Sequence, residues 1–133
     1  MRDTNAISAN TEGRVLAALV AAGYTVAVPF GVARYDLVLD TEDGLKRVQC
    51  KTGRLRQGAV RFGVYSVNRK PGGTWGRTPY QGAADLFGVF CPGTGKVYLV
   101  PVGACTGEMS LRVEPSRSGQ QAGIRWAAEY EVK

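Results

Sequence analysis

The spacing of apolar residues near the start of the chain predicts one helix and then a series of short strands. Between Thr11 and Ala22 the apolar side chains recur three or four positions apart, and Gly23 follows as a stop signal. Asn10 or Thr11 is expected to begin this helix as its N-cap. Strands are then predicted at three places: Tyr24–Phe30, Arg34–Asp40 and Leu45–Lys51.

The second half of the chain predicts more strands and few helical residues. A strand is expected over Ala59–Val67, a Gly- and Pro-rich loop over Asn68–Tyr80, and a short helical turn over Gln81–Asp85. Three further strands are predicted: Leu86–Cys91, Lys96–Val102 and Ser110–Val113. Gln120–Tyr130 fits either a helix or a loop. With no internal repeat and no long linker, residues 1–133 are expected to form a single domain.

The segment Glu42-Asp43-Gly44 indicates a tight turn between the second and third strands, and so predicts which side chains meet. If Asp43 and Gly44 are the two turn residues, the facing pairs lie on one side of the sheet: Asp36 with Lys51, Val38 with Gln49, and Asp40 with Arg47. A carboxylate, an amide and an ammonium group would then meet at the far end of this hairpin. Polar groups so placed favour a functional site over a core face.

Glu12 lies on the apolar stripe of the predicted helix, because Val15, Leu16 and Leu19 follow it by three, four and seven positions. A carboxylate on that stripe is expected to point toward the sheet. Glu12 also falls in the first predicted turn, where the helix dipole favours a negative charge. A capping role and a functional role therefore both remain open for this residue.

Composition excludes several kinds of chemistry. The chain has 133 residues, 44% hydrophobic and 21% charged, which is ordinary for a globular protein. It has no histidine, and its three cysteines (Cys50, Cys91 and Cys105) form no CxxC pair, so a structural zinc site and imidazole catalysis are not expected. No apolar run approaches the roughly 18 residues of a membrane span, and a cytoplasmic location without membrane contact is predicted.

Positive charge is concentrated in one stretch of the chain. The net charge is +6, yet no acidic residue lies between Asp43 and Asp85, where nine lysines and arginines occur. A basic face attracts a polyanion, so nucleic acid is the expected partner, although a solvated basic surface is the alternative. The candidate DNA-binding residues are Arg54, Arg56, Arg61, Arg69, Lys70, Trp75 and Arg77. The loop Gly72-Gly73-Thr74-Trp75-Gly76 lacks the features of a nucleotide-binding loop, so no nucleotide cofactor is expected.

The polar residues of the hairpin and of the helix have the chemistry that phosphodiester cleavage requires. Asp36 is the expected metal ligand, Glu12 can bind the metal directly or through water, and the backbone carbonyl of Cys50 offers a further oxygen. Lys51 can orient the attacking water and stabilise the developing negative charge. The expected ion is Mg²⁺, with Mn²⁺ as a substitute.

Several motifs, in their order and spacing, resemble the PD-(D/E)XK nuclease superfamily. The central one is Arg34-Tyr35-Asp36-Leu37-Val38-Leu39-Asp40 followed by Val48-Gln49-Cys50-Lys51-Thr52-Gly53. The resemblance is greatest to the branch associated with group I introns, which contains a homing endonuclease. Five other segments carry it over nearly the whole chain: the Thr11-Glu12 helix, Pro29-Phe30-Gly31, Tyr80 through Asp85-Leu86-Phe87, Lys96 to Val102, and Gly123-Ile124-Arg125-Trp126-Ala127.

This resemblance implies an α/β (α+β) fold with a mixed central β-sheet flanked by helices, an αβββαβ restriction-endonuclease-like core. It also implies Mg²⁺-dependent cleavage of double-stranded DNA, with Glu12, Asp36, Gln49 and Lys51 as the catalytic set. Gln49 stands where the superfamily name has Asp or Glu. The intron-associated branch resembles this chain in having Gln at that position. Cutting both strands suggests a homodimer or homotetramer. Two alternatives are a structure-selective nuclease for branched DNA and a non-catalytic DNA-binding module.

Overall fold

The computed structural model describes residues 3–69, 75–80, 82–105, 107–116, 118–119 and 123–133, with the backbone alone for 66–69 and 75–79. The chain begins with helix α1, Thr4–Ala21. Its N-cap is Asp3, whose Oδ1 accepts hydrogen bonds from the backbone N–H groups of Asn5 (2.9 Å) and Ala6 (3.3 Å). None of the helices in the described ranges is long and apolar enough to cross a membrane.

The predicted start of this helix, at Asn10 or Thr11, was therefore wrong. Asp3 provides an earlier cap, and the polar, exposed turns that follow it need no apolar stripe to be helical. Thr11 lies inside the helix with only 2% of its surface exposed. Glu12 is consequently more than two turns from the N-terminus, beyond the reach of the dipole effect that was invoked for it.

A five-stranded mixed sheet forms the centre of the fold. Its strands are β1 (Thr25–Ala27), β2 (Leu37–Thr41), β3 (Gly44–Thr52), β8 (Leu86–Cys91) and β9 (Lys96–Pro101), in the order β1-β2-β3-β8-β9. β3 and β8 are parallel, and the other three neighbouring pairs are antiparallel. The expected α+β fold with a mixed central sheet is confirmed.

Helix α1 covers one face of this sheet. Val15 and Leu19 are fully buried against alternate residues of β2 and β3, which form one apolar cluster with them. The members from the sheet are Leu37, Leu39, Val48, Cys50, Phe90 and Val97. The period-two burial of β2 and β3 is what directs the intervening polar residues, including Gln49 and Lys51, to the opposite side.

A second, smaller sheet contributes to the core on the other side. It consists of β10 (Met109–Arg112), β5 (Ala59–Phe62) and β4 (Arg54–Arg56), in that order. Its buried residues, such as Val60 and Leu111, share a cluster with Phe87, Val89 and other side chains of the main sheet. A separate hairpin is formed by β6 (Tyr65–Arg69) and β7 (Trp75–Pro79).

The region between β3 and β8 differs most from expectation. The single strand predicted over Ala59–Val67 is divided into β5 and β6, and the predicted loop over Asn68–Tyr80 contains β7. Residues 82–85 form a turn and no helix, and Gln81 lies outside the described residues. The expected αβββαβ order places its second helix after the third strand. The described residues between β3 and β8 instead form strands β4 to β7 and turns. Near the C-terminus a short 3₁₀ helix, Ala127–Glu129, occupies part of the segment left open as helix or loop.

The predicted register of the β2–β3 hairpin was wrong by two residues. Val38 pairs with Arg47, not with Gln49, and Asp40 pairs with Leu45, not with Arg47. The reason is the turn: Thr41 pairs with Gly44, so Glu42 and Asp43 are the two central residues. Either primed turn over Asp43-Gly44 needs a positive φ at the first of the two residues, and here only the second, Gly44 (φ 108°), has it. A shift of two preserves the side of the sheet, so Asp36, Gln49 and Lys51 still share one face.

Gly88 sets the distance between α1 and the sheet. A methyl carbon on Gly88 would lie 2.7 Å from Val15 Cγ1 and 3.0 Å from Val48 Cγ1, closer than packed carbons allow. Gly88→Ala is therefore expected to destabilise the protein by about 1–3 kcal/mol, the usual cost of overpacking. Urea unfolding measures the change.

Gly13 offers the matched control on the same helix. A methyl carbon there meets nothing within 4 Å, so Gly13→Ala is expected to stabilise the fold by roughly 0.5–1 kcal/mol through helix propensity. Equal effects of the two substitutions would contradict the close packing at Gly88.

Candidate active site

Two carboxylates from separate elements meet at the edge of the sheet. Glu12 of α1 is hydrogen-bonded to the side chain of Asp36, which directly precedes β2. Burial raises the pKa of Glu12 first, and the negative charge of Asp36 and the hydrogen bond to it raise this pKa further. Glu12 therefore holds its proton more tightly than an isolated glutamate does, because burial and a neighbouring negative charge both disfavour its ionised form.

The backbone of β3 fixes the position of Asp36. The N–H of Asp36 donates to the carbonyl of Val48 (2.8 Å), and its Oδ2 accepts from the N–H of Cys50 (2.8 Å). Asp36 lies one step beyond the Leu37–Val48 pair, so it lies beside Gln49. The register predicted from the sequence had placed it opposite Lys51. The two hydrogen bonds hold the carboxylate in place without a charged partner.

Gln49 and Cys50 complete the oxygen-rich part of the site. Gln49 is half-buried, and its Nε2 lies 3.4 Å from the carbonyl oxygen of Cys50. The Cys50 side chain points to the opposite face, where burial, followed by the charges of Asp36 and Glu12, raises the pKa of its thiol. The thiol thus stays protonated, and Cys50 offers the site its backbone only.

Lys51 is held by an aromatic side chain. Its Nζ lies 4.7 Å from the ring centroid of Tyr80, 3.3 Å from the Tyr80 hydroxyl and 3.5 Å from the carbonyl oxygen of Tyr65. The guanidinium of Arg34 lies over the same ring at 5.5 Å. Tyr80 therefore places two cations on the side of the sheet that carries Asp36.

Sequence reasoning missed both Tyr80 as a support and Arg34 as a nearby cation. Tyr80 is only 7% exposed, and it packs edge-on against Phe87 with the ring centroids 5.6 Å apart. The spacing of residues in the chain does not reveal this contact, because Tyr80 reaches Lys51 from outside the sheet. Arg34 lies two residues before Asp36 in the sequence. This spacing was the available indication that Arg34 lies near the site, because residues two apart on an extended segment project to the same side.

Asp85 has a structural role in the ladder between β3 and β8. Its carboxylate accepts from the backbone N–H of Arg47 (2.8 Å) and from the guanidinium of the same residue, which lowers the pKa of Asp85. The N–H of Asp85 returns a bond to the carbonyl of Arg47 (2.9 Å). These contacts join the start of β8 to β3.

The donor set at Glu12 and Asp36 fits a hard cation. Among the described residues no group of three or more His, Cys, Asp or Glu side chains is placed to hold a metal. The available ligands are two carboxylates, with the Cys50 carbonyl beside them, and all are the oxygen donors that Mg²⁺ prefers. The proximity of two like charges is itself favourable only when a proton or a cation lies between them.

The candidate DNA-binding residues fall into two groups. Arg54, Arg56 and Arg61 line one cleft of about 680 Å³ together with Thr52. Arg69, Trp75 and Arg77 lie in the β6–β7 hairpin, where only the backbone is described, and Lys70 lies outside the described residues.

A model of the PD-(D/E)XK endonuclease family matches residues 2–133, which is nearly the entire chain. The chain belongs to the PD-(D/E)XK endonuclease family. Membership in this family makes it a nuclease, and nucleases of the family generally use divalent metals. The structure places Gln49 and Lys51 on β3 and Asp36 directly before β2.

A solved structure of this PD-(D/E)XK fold is similar to the chain throughout. It is the bacterial homing endonuclease I-Ssp6803I, with a TM-score of 0.76 at 20% sequence identity. The similarity covers 98% of this chain and 89% of that one, and at this identity it establishes the fold. A comparison with curated protein sequences finds no match.

The repulsion between Glu12 and Asp36 makes stability depend on pH. Because the folded-state pKa of Glu12 is raised, its contribution to stability is complete below the ordinary value of 4.5 and is lost as pH rises through the raised pKa. Asp36→Asn removes the negative charge that repels Glu12, so this loss is expected to become smaller. Urea unfolding in EDTA over a pH series measures it.

Asp40→Asn is the control for this prediction, since Asp40 is an exposed carboxylate on the neighbouring β2 strand. Its pH profile is expected to retain the loss of stability due to Glu12. If Asp36→Asn and Asp40→Asn change the pH profile of stability equally, the carboxylates of Glu12 and Asp36 are not coupled.

Proposed function

We propose that this nuclease hydrolyses the phosphodiester bonds of double-stranded DNA, with Mg²⁺ or Mn²⁺ held by Glu12, Asp36 and the backbone carbonyl of Cys50. The observation that carries the proposal is the hydrogen-bonded contact between the Glu12 and Asp36 carboxylates. Two neighbouring carboxylates repel each other, and a divalent cation bound between them removes this repulsion.

The metal, when bound, lowers the pKa of a water ligand and neutralises charge on the phosphate. The remaining tasks belong to the protein. Asp36 is fixed by the N–H of Cys50, so it meets a cation without reorganising. Lys51, directed by Tyr80, supplies positive charge to the phosphate that is cut. Gln49 contributes an amide that orients water without adding charge.

Double-stranded DNA is the proposed substrate because positive charge is concentrated in the segment of the chain that carries Lys51. The proposed contacts are Arg54, Arg56, Arg61, Arg69, Lys70, Trp75 and Arg77, which belong to the segment without acidic residues. Similarity of fold to a homing endonuclease supports site-specific cutting by a homodimer or homotetramer, since symmetric subunits present one site to each strand. Residues 1–133 act as one nuclease domain in this proposal.

Asp36→Asn is expected to abolish cleavage while the fold and DNA binding persist. The asparagine carbonyl can still accept the N–H of Cys50, so the backbone of β3 keeps its partner, but the ligand charge is lost. Plasmid nicking in Mg²⁺ measures activity, with EDTA as the metal-free control and circular dichroism as the control for folding. Wild-type rates in a folded Asp36→Asn protein would disprove the assignment.

Gln49→Glu tests the departure from the family motif. With two carboxylates the site suits one Mg²⁺ and is a poor trap for two, so a third carboxylate is expected to raise metal affinity by more than it raises the cleavage rate. Titration calorimetry with Mg²⁺ and single-turnover cleavage at saturating metal measure the two effects. Acceleration by orders of magnitude would instead show that Gln49 weakens the enzyme.

A further inference from the structure

Three arginines share one face of the small sheet. β4 and β5 are antiparallel, and Arg54 pairs directly with Arg61, while Arg56 pairs with Ala59. Directly opposed residues project to the same side, and so do residues two apart on one strand. Like charges in such a pair repel each other and destabilise the sheet, and an anion bound beside them would offset this repulsion.

The arginines meet in a cleft that provides a buried donor. Arg54, Arg56 and Arg61 line the cleft of about 680 Å³, with Thr52 and Glu108 also at its wall. The Nε of Arg61 is buried, and the described part of the structure contains no hydrogen-bond acceptor for it. A buried N–H without an acceptor costs free energy, which a bound anion would recover.

The hairpin that carries these arginines is fixed in shape. Gln57 (φ 49°) and Gly58 (φ 74°) both have positive φ, as the tight turn between β4 and β5 requires. Arg112 of β10 donates through Nη1 to the carbonyl of Gln57 (3.2 Å) and through Nε to that of Glu114 (3.0 Å). The N–H of Glu114 in turn donates to the carbonyl of Gly58 (3.1 Å). The backbone that carries the arginines is thus held in place before any ligand binds.

The cleft adjoins the carboxylate pair. Thr52 lines the cleft, and its hydroxyl lies 2.6 Å from that of Thr11, the residue before Glu12. Arg54 follows Lys51 by only three residues, a reach of about 10 Å along an extended chain. A DNA backbone bound at Glu12 and Asp36 therefore passes beside the cleft.

We propose that this cleft binds a backbone phosphate of duplex DNA next to the phosphate that is cut. Arg61 donates to it through Nε, and Arg54 and Arg56 add charge at the same point. A planar guanidinium matches the oxygens of a phosphate better than an ammonium group does. This inference rests on the proposed function, because it takes DNA as the substrate.

Duplex binding in EDTA, where no cleavage occurs, tests the proposal. Fluorescence anisotropy with a labelled duplex of random sequence gives the affinity at several salt concentrations. Replacing Arg54, Arg56 and Arg61 together by Gln is expected to reduce the log-log salt slope by about 0.9, the value for one phosphate, and Arg61→Gln or Arg54→Gln alone is expected to reduce it by a part of that. Arg61→Lys should keep the slope and bind more weakly, and Glu108→Gln should bind more tightly, since the carboxylate opposes an anion.

Lys96→Gln is the matched control, because it removes a cation that is paired with Glu131 (3.1 Å) on the far strand β9. Its slope should equal that of the wild type. If the wild type binds and cleaves DNA but Arg61→Gln and Arg54→Gln keep its slope, the subsite is disproved and the nuclease stands. If the wild type neither binds nor cleaves the duplex, both proposals fail. Should Arg61→Gln not fold, the exposed Arg54→Gln decides.

Discussion

The close packing of α1 against β3 and β8 is the contact on which the site depends. Val15 enters the space left by the missing side chain of Gly88 and touches Val48. Because Glu12 lies one turn before Val15, the depth of this packing determines how near its carboxylate comes to Asp36. The distance between the two carboxylates therefore depends on Gly88 of β8, which lets α1 approach the sheet closely.

The carboxylate pair and the nearby ammonium group of Lys51 are each held by uncharged partners. Asp36 is held by a neutral backbone N–H, and Lys51 is held by the ring and hydroxyl of Tyr80. Negative and positive groups are thus each anchored by uncharged partners. This separation keeps the carboxylates available for a cation and the ammonium group available for a phosphate, whereas a direct ion pair would consume both.

The strands of the main sheet could be predicted from the sequence, because period-two burial is a local property. Asp36, Gln49 and Lys51 lie on one face as expected, and Glu12 reaches Asp36. The pairing register was not predictable, since it depended on whether Asp43 adopts a positive φ. The β6–β7 hairpin was missed because the Gly, Pro and basic residues of positions 68–80 are typical of a loop. Tyr80 was missed because its contact with Lys51 is tertiary.

The parallel pairing of β3 with β8 also determines when the protein can fold during synthesis. β8 begins only at Leu86, so a growing chain that ends earlier leaves β3 as an open edge in the middle of the future sheet. Gly88, which receives Val15, is also still missing at that stage, and α1 has no complete surface to pack on. The carboxylate pair then lacks its support, so nuclease chemistry cannot begin before β8 has been synthesised and has paired with β3. Until then the exposed strand is a site for aggregation or chaperone binding, and slow long-range pairing extends this interval.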